Sequence, residues 1–318
     1  MGKDIGKSIT RVAREYEAFV RTLPEPTGGL ARELTGALAH GCPGLVEYYG
    51  ALEAYPLLRA PLWLDDMYVR SRQIPARAGY GEAVARASLY GYLYIRIQDN
   101  VMDEPELFSA DYLLLGNEYV REFFGIYHRL FGPDSSFWAY FRRYWLATTN
   151  NTLWERQVCG GKLRAFGDDD LTKVGGKLEG GKISMAAMCI LAGRESDIAR
   201  FEPVFDNLNI SSQLHNDAVS FVKDLKHEYF TCVIANTLGG GESQVQQEDI
   251  FCMASIKALT GNYLEDWLGL AEDYNNRALA LAGPDTLPGL GDYVVAKNAH
   301  LSRLRADISE IKKDLLTI

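Results

Sequence analysis

Apolar positions recur every three to four residues along most of the chain, the period of a helix with one buried face. Val12, Tyr16, Phe19, Val20 and Leu23 form such a face, and the Pro-Glu-Pro at Pro24 to Pro26 ends it. The same period predicts helices near 29–40, 44–58, 80–98, 106–131, 135–159, 182–194, 199–228, 248–282 and 290–316. Strand signals are confined to Tyr229–Ile234 and Tyr293–Val295, and no alternating run is flanked by hairpin turns. The pattern therefore predicts an all-α protein of long helices. Glycine pairs at Gly160-Gly161, Gly175-Gly176 and Gly180-Gly181 surround the acidic run Asp168 to Asp170 and predict a broken helical region. A mobile loop is expected at Gly239 to Ser243. No repeat, tail or composition shift marks a boundary, so a single domain over 1–318 is expected.

Composition narrows the function. Of 318 residues, 47% are apolar and 24% charged, which suits a globular chain with a sizeable core. A formal net charge of −9 argues against nucleic acid as a partner, because phosphate binding needs a basic surface unless divalent cations bridge the two. The five cysteines include no CxxC pair, which argues against a zinc site or a disulfide framework and for a reducing compartment. The N-terminal stretch lacks the apolar core of a secretory signal, and no run approaches the length of a membrane span. A soluble, cytoplasmic protein is the expectation.

Two acidic clusters carry candidate chemistry. In IQDNVMDEPE, Asp99 and Asp103 stand four apart, one turn from each other on a single helix face, with Asn100 and Glu104 beside them. In QLHNDAVSFVKD, Asn216, Ser220 and Asp224 follow at the same spacing, flanked by Asp217 and Lys223. Each pattern alone also describes the wet side of an amphipathic helix. Together they supply the hard oxygen donors that Mg²⁺ takes while adding waters and phosphate oxygens. A second acidic pair, Asp65-Asp66, lacks another acid one turn on and ranks below them, and no histidines have zinc-ligand spacing.

The segment Gly91 to Tyr119, GYLYIRIQDNVMDEPELFSADYLLLGNEY, resembles the first aspartate-rich region of trans-prenyltransferases, DDxxD followed by LLxGD. Gln213, three residues before Asn216, matches the second prenyltransferase motif, FQxxDDxxDxxxD. Asn216, Asp217 and Ser220 match the NDxxSxxxE motif of class I terpene synthases, with Asp224 where that motif has Glu. The chain thus resembles the class I isoprenoid synthase superfamily. The resemblance implies an α-helical bundle around a central cavity, a prenyl diphosphate substrate and about three Mg²⁺ ions bound with the diphosphate. It assigns Asp99, Asp103, Asn216, Ser220 and Asp224 to the metals and Lys182, Arg164, Lys177 and Lys223 to the diphosphate. Tyr92, Ile95, Phe221 and Trp63 are the pocket candidates. A homodimer is compatible with it.

The departures steer the activity. No GGKxxR segment, which prenyltransferases use to hold isopentenyl diphosphate, lies near the N-terminus, and Asn100 replaces the second Asp of the first motif. The C-terminal Arg-Tyr pair of terpene synthases has no counterpart, since no Tyr follows Arg303 or Arg305. One diphosphate site without a second favours a terpene cyclase. The alternatives are a trans-prenyltransferase and a non-catalytic binding protein of the same fold.

Overall fold

The computed structural model describes residues 4–38, 44, 48, 51, 54–75, 78–161, 163–239, 247–283 and 287–316. Among them no strand forms, and one antiparallel bridge joins Gly160 to Tyr229. The chain divides into two compact units. No helix among the described residues is long and apolar enough to cross a membrane.

The first unit comprises the described residues of 1–141, 183–198 and 285–290. Its first helix, α1 (Ile5–Thr22), is capped by Asp4, whose side chain accepts from the Lys7 N–H, and buries Ile9, Val12, Tyr16 and Val20. Tyr16 hydrogen-bonds Thr35 of α2 (Thr27–Leu38) at 2.8 Å and Tyr119 at 3.1 Å, so a buried hydroxyl network ties three helices together. Helix α3 (Arg59–Arg70) escaped the period because almost every position from Ala60 to Tyr68 is buried, which leaves no polar face. Helix α4 (Tyr80–Asp103) packs on α5 (Asp111–Leu130), where Gly91 lies so close to the Phe123 ring that a Cβ would come within 2.7 Å of it. Helix α6 (Phe137–Cys159) starts here and continues into the second unit.

The second unit comprises the described residues of 142–182, 199–284 and 291–318. After α6, the glycine-rich stretch folds as α7 (Asp168–Gly175) and a 3₁₀ turn (Gly176–Gly181), the expected broken region. Helix α8 (Lys182–Leu191) begins in this unit with Lys182 and otherwise belongs to the first. The expected helix over 199–228 is divided at Ser220 into α9 (Ile198–Val219) and α10 (Phe221–Lys226). The expected strand at 229–234 is the bridge residue Tyr229 followed by α11 (Cys232–Leu238). The stretch over 248–282 divides at Gly261 into α12 (Gln247–Thr260) and α13 (Tyr263–Ala282), and 293–295 lies inside α14 (Leu290–Leu316). Of the expected helix at 44–58, residues 45–47, 49–50 and 52–53 lie outside the described residues and 54–58 form bends and turns instead of helix; the expected loop beyond Gly239 lies wholly outside the described residues.

The core of this unit joins Val174, Ile210, Leu214, Phe221 and Leu225 to Val233, Ala254, Leu268 and Leu301. Gly175 makes a close approach possible: a Cβ there would stand 3.0 Å from the Ile210 nitrogen and 3.1 Å from its Cα. Gly175→Ala should therefore destabilise the protein by about 1–3 kcal/mol through overpacking. Urea melts check this, and an unchanged midpoint would contradict the close contact.

Candidate functional site

On α4, Tyr92, Ile95 and Asp99 share a half-buried face that ends at the exposed Asp103. Leu89, Leu93, Ile97 and Asn100 point into the core of the first unit. Asn100 is 5% exposed, so the position that holds a carboxylate in the prenyltransferase motif lies inside here, where a neutral amide costs less than a charge. Asp99 accepts a charge-assisted hydrogen bond from Arg96 at 2.6 Å, one turn earlier on the same helix. Trp63 is buried against Gly289 in the core of this unit. Asp65 and Asp66 are both buried in α3, and Asp66 pairs with Arg70 at 2.6 Å.

In the second unit, the junction of α9 and α10 does not interrupt the helical ladder. The Ser220 N–H donates to the Asn216 carbonyl, and the Asp224 N–H to the Ser220 carbonyl, both at 2.9 Å. Asn216, Ser220 and Asp224 consequently keep one face, with Asn216 exposed and the other two half-buried. Phe221 turns the other way into the core, and Lys223 is exposed.

Behind this face lies a buried polar network that the periodicity did not single out. Asp217 is 2% exposed; it accepts from Gln213 Nε2 at 2.7 Å and from the Cys232 thiol at 3.7 Å. Glu155, also 2% exposed, accepts from the Tyr229 hydroxyl at 2.9 Å and pairs with Lys177 at 2.5 Å. Tyr229 in turn donates its N–H to the Asp224 carbonyl at 2.8 Å, which fastens the end of α10 to α6. Burial, with Glu155 nearby, pushes the Asp217 carboxyl well above its ordinary range. Burial and then the charge of Asp217 push Asp224 up to about 7. A sequence signal for both residues exists: Glu155 falls in register with buried Tyr144, Thr148 and Cys159, and Asp217 falls between Leu214 and Phe221.

The basic candidates separate. Lys177 belongs to the network around Asp217 and Asp224. Arg164 pairs with Asp170 at 2.7 Å and covers the rings of Phe166 and Trp154. Lys182 is buried, pairs with Glu179 at 2.6 Å and also binds Asp206. Asp206 precedes Asn216 by ten residues of α9, about 15 Å at the helical rise, so Lys182 stands far from the ladder. His215 accepts from Lys297 at 3.2 Å, and burial, Lys297 and His300 hold its pKa down to about 3, leaving the ring neutral.

Among the described residues, no group of three or more His, Cys, Asp or Glu side chains could hold a metal ion. The ladder offers a different donor set: an amide oxygen, a hydroxyl and a carboxylate. All are hard oxygens, and they suit Mg²⁺ rather than zinc or iron.

Comparison with known proteins bears on the fold. Neither a protein-family model nor a curated protein matches the chain. Among solved structures it is similar to a polyprenyl synthase from Roseobacter denitrificans, at 14% sequence identity and a TM-score of 0.58. The match covers 93% of this chain and 99% of that one. The chain has the all-α isoprenoid-synthase fold, as the motifs implied.

The two raised carboxylates make stability depend on pH with a definite sign. A raised carboxyl pKa means that, between about 4 and 7, the native state binds protons that the unfolded chain does not. The metal-free protein should gain stability as pH falls through about 7 and lose that gain as pH rises again. Urea unfolding in a chelator at pH 8 and pH 5.5 checks it, with Asp217→Asn raising the midpoint at pH 8 and flattening the slope. An equal slope in wild type and variant would contradict the assignment.

Proposed function

We propose that the protein is a class I terpene synthase, which ionises a linear allylic prenyl diphosphate and lets the resulting carbocation cyclise. The observation that carries this reading is the unbroken ladder of Asn216, Ser220 and Asp224 across a helix junction, in a chain with the isoprenoid-synthase fold.

Ionisation breaks the allylic C–O bond, and the electron pair leaves on the diphosphate. Mg²⁺, when bound, supplies Lewis acidity toward that oxygen. Asn216, Ser220 and Asp224 would hold one such ion in the second unit; within the first, Asp99, with Asp103 beside it, would offer carboxylate oxygens to another. Arg96 orients the Asp99 carboxylate, and the Glu155–Lys177 pair keeps an ammonium beside the Asp224 turn. Tyr92 and Ile95, on the face of Asp99, offer an aromatic ring and a hydrocarbon surface to a cationic chain, which ring quadrupoles attract. The positive charge is discharged by loss of a proton or by addition of water.

The likeness to a polyprenyl synthase, together with the prenyltransferase-like Asp224, favours condensation with isopentenyl diphosphate as the second reading. Incubation with Mg²⁺ and C10, C15 or C20 allylic diphosphates, with and without isopentenyl diphosphate, separates the two. Cyclic hydrocarbon or alcohol from one diphosphate alone is the expected product; longer linear products that need the co-substrate would establish the second reading instead. Asp99→Ala and Asn216→Ala should each reduce turnover by at least about 100-fold at near-native stability. Unchanged activity in both would remove the metal assignment.

A further inference from the structure

Asn216 and Asp217 are neighbours on one helical turn, yet one is exposed and the other is 2% exposed. Successive residues project about 100° apart around a helix, so whatever grips Asp217 fixes the direction in which Asn216 points. The grip comes from two sides. Gln213, one turn earlier on α9 and itself buried, donates to one carboxylate oxygen at 2.7 Å. Cys232, the first residue of α11, donates its thiol hydrogen to the other at 3.7 Å.

The segment that carries Cys232 is itself pinned. The Phe230 N–H donates to the Cys159 carbonyl at 2.8 Å, and the Gly161 N–H to the Glu228 carbonyl at 2.9 Å. Asp217 therefore links the last turn of α9 to a chain segment held against the end of α6. Stability alone would not place a carboxylate here. Glu155 lies near enough to act on its charge, and an apolar side chain of similar size would avoid both the desolvation and the repulsion.

We infer that Asp217 is a positioning residue: gripped by Gln213 and Cys232, it sets the rotation of the last turn of α9 and so aims Asn216 and Ser220 as metal ligands. The inference rests on the reading of that ladder as a Mg²⁺ site. Rotation of this turn moves both ladder residues together, because the Ser220 N–H hangs on the Asn216 carbonyl. Asp217 has no share in the ligand set, since both its oxygens are occupied inside the protein.

Calorimetric titration of the 318-residue chain with MgCl₂ in the presence of inorganic diphosphate tests this, with thermal melts of each variant alongside. Asp217→Ala should weaken Mg²⁺ binding by about tenfold or more, the cost of removing a residue that orients a ligand, measured well below its melting point. Asp217→Asn keeps the shape and an oxygen for Gln213. It should bind Mg²⁺ within about threefold of wild type and melt no lower. An Ala variant that binds like wild type, whatever its melting point, overturns the proposal, because the role would then be structural only. An Asn variant as weak as the Ala variant also overturns it, because the carboxylate itself would then be reaching the metal. If the unaltered chain takes up no Mg²⁺ with diphosphate, the reading of the ladder fails and the proposal falls with it.

Discussion

Helix α9 is enclosed on nearly every side, and the rest of the second unit is arranged around the cost of that enclosure. Phe201, Val204, Leu208 and Leu214 bury hydrocarbon, but Asn209, Ser211, Gln213 and Asp217 are buried on the same helix. A buried polar group without a partner costs on the order of 1–3 kcal/mol; Gln213 and Asp217 bond each other, whereas the Ser211 hydroxyl has no such partner among the described residues. Neighbouring elements also bring partners to α9 from three directions. Lys182 comes to Asp206 from the end of the glycine-rich break, Lys297 to His215 from α14, and Cys232 to Asp217 from α11. Each bond is directional, and together they hold α9 in one register where apolar packing alone would tolerate slippage.

That register explains why an ordinary-looking motif can be a site. A surface helix with polar residues four apart is held through its apolar stripe alone, and nothing on its polar side fixes the direction of those side chains. Here Asn216 and Ser220 emerge from a helix whose rotation is already set from beneath. Asp224 continues the same face because Tyr229 ties the end of α10 to Glu155. On the proposed reading, preorganisation of this kind is what ligand geometry needs, and it resides in residues that would not touch the ligand.

The sequence made the helical class and the half-buried ladder legible, because both depend on spacing along one helix. Glycine pairs located the break at 175–181 for the same local reason. Three features were not legible. Helix α3 is buried almost all round and so shows no period. The junction at Ser220 leaves the i to i+4 bonds intact, so nothing in the pattern marks it. Glu155 and Asp217 are acids at positions where the period demands a core residue, and acids are ordinarily read as surface. The mismatch was the clue: a carboxylate in the register of Tyr144 and Cys159, or between Leu214 and Phe221, has to be held by something inside. Which partner holds it depends on contacts between helices far apart in sequence, and no local pattern encodes those.

The electrostatics of the network bear on how a polyanion could be accepted. Three carboxylates, Glu155, Asp217 and Asp224, influence one another around the Lys177 ammonium. Arg164 and Lys182 are likewise committed to Asp170, Glu179 and Asp206. On the proposed reading, a bare diphosphate would meet ammonium groups already neutralised and carboxylates that repel it. Divalent cations reverse that balance, since the carboxylates that repel the anion attract its counter-ions. On that reading, an acidic chain with pre-paired lysines would discriminate the metal-bound diphosphate from the free one. Burial also raises the Asp224 carboxyl, so on the same reading a cation that binds there competes with a proton.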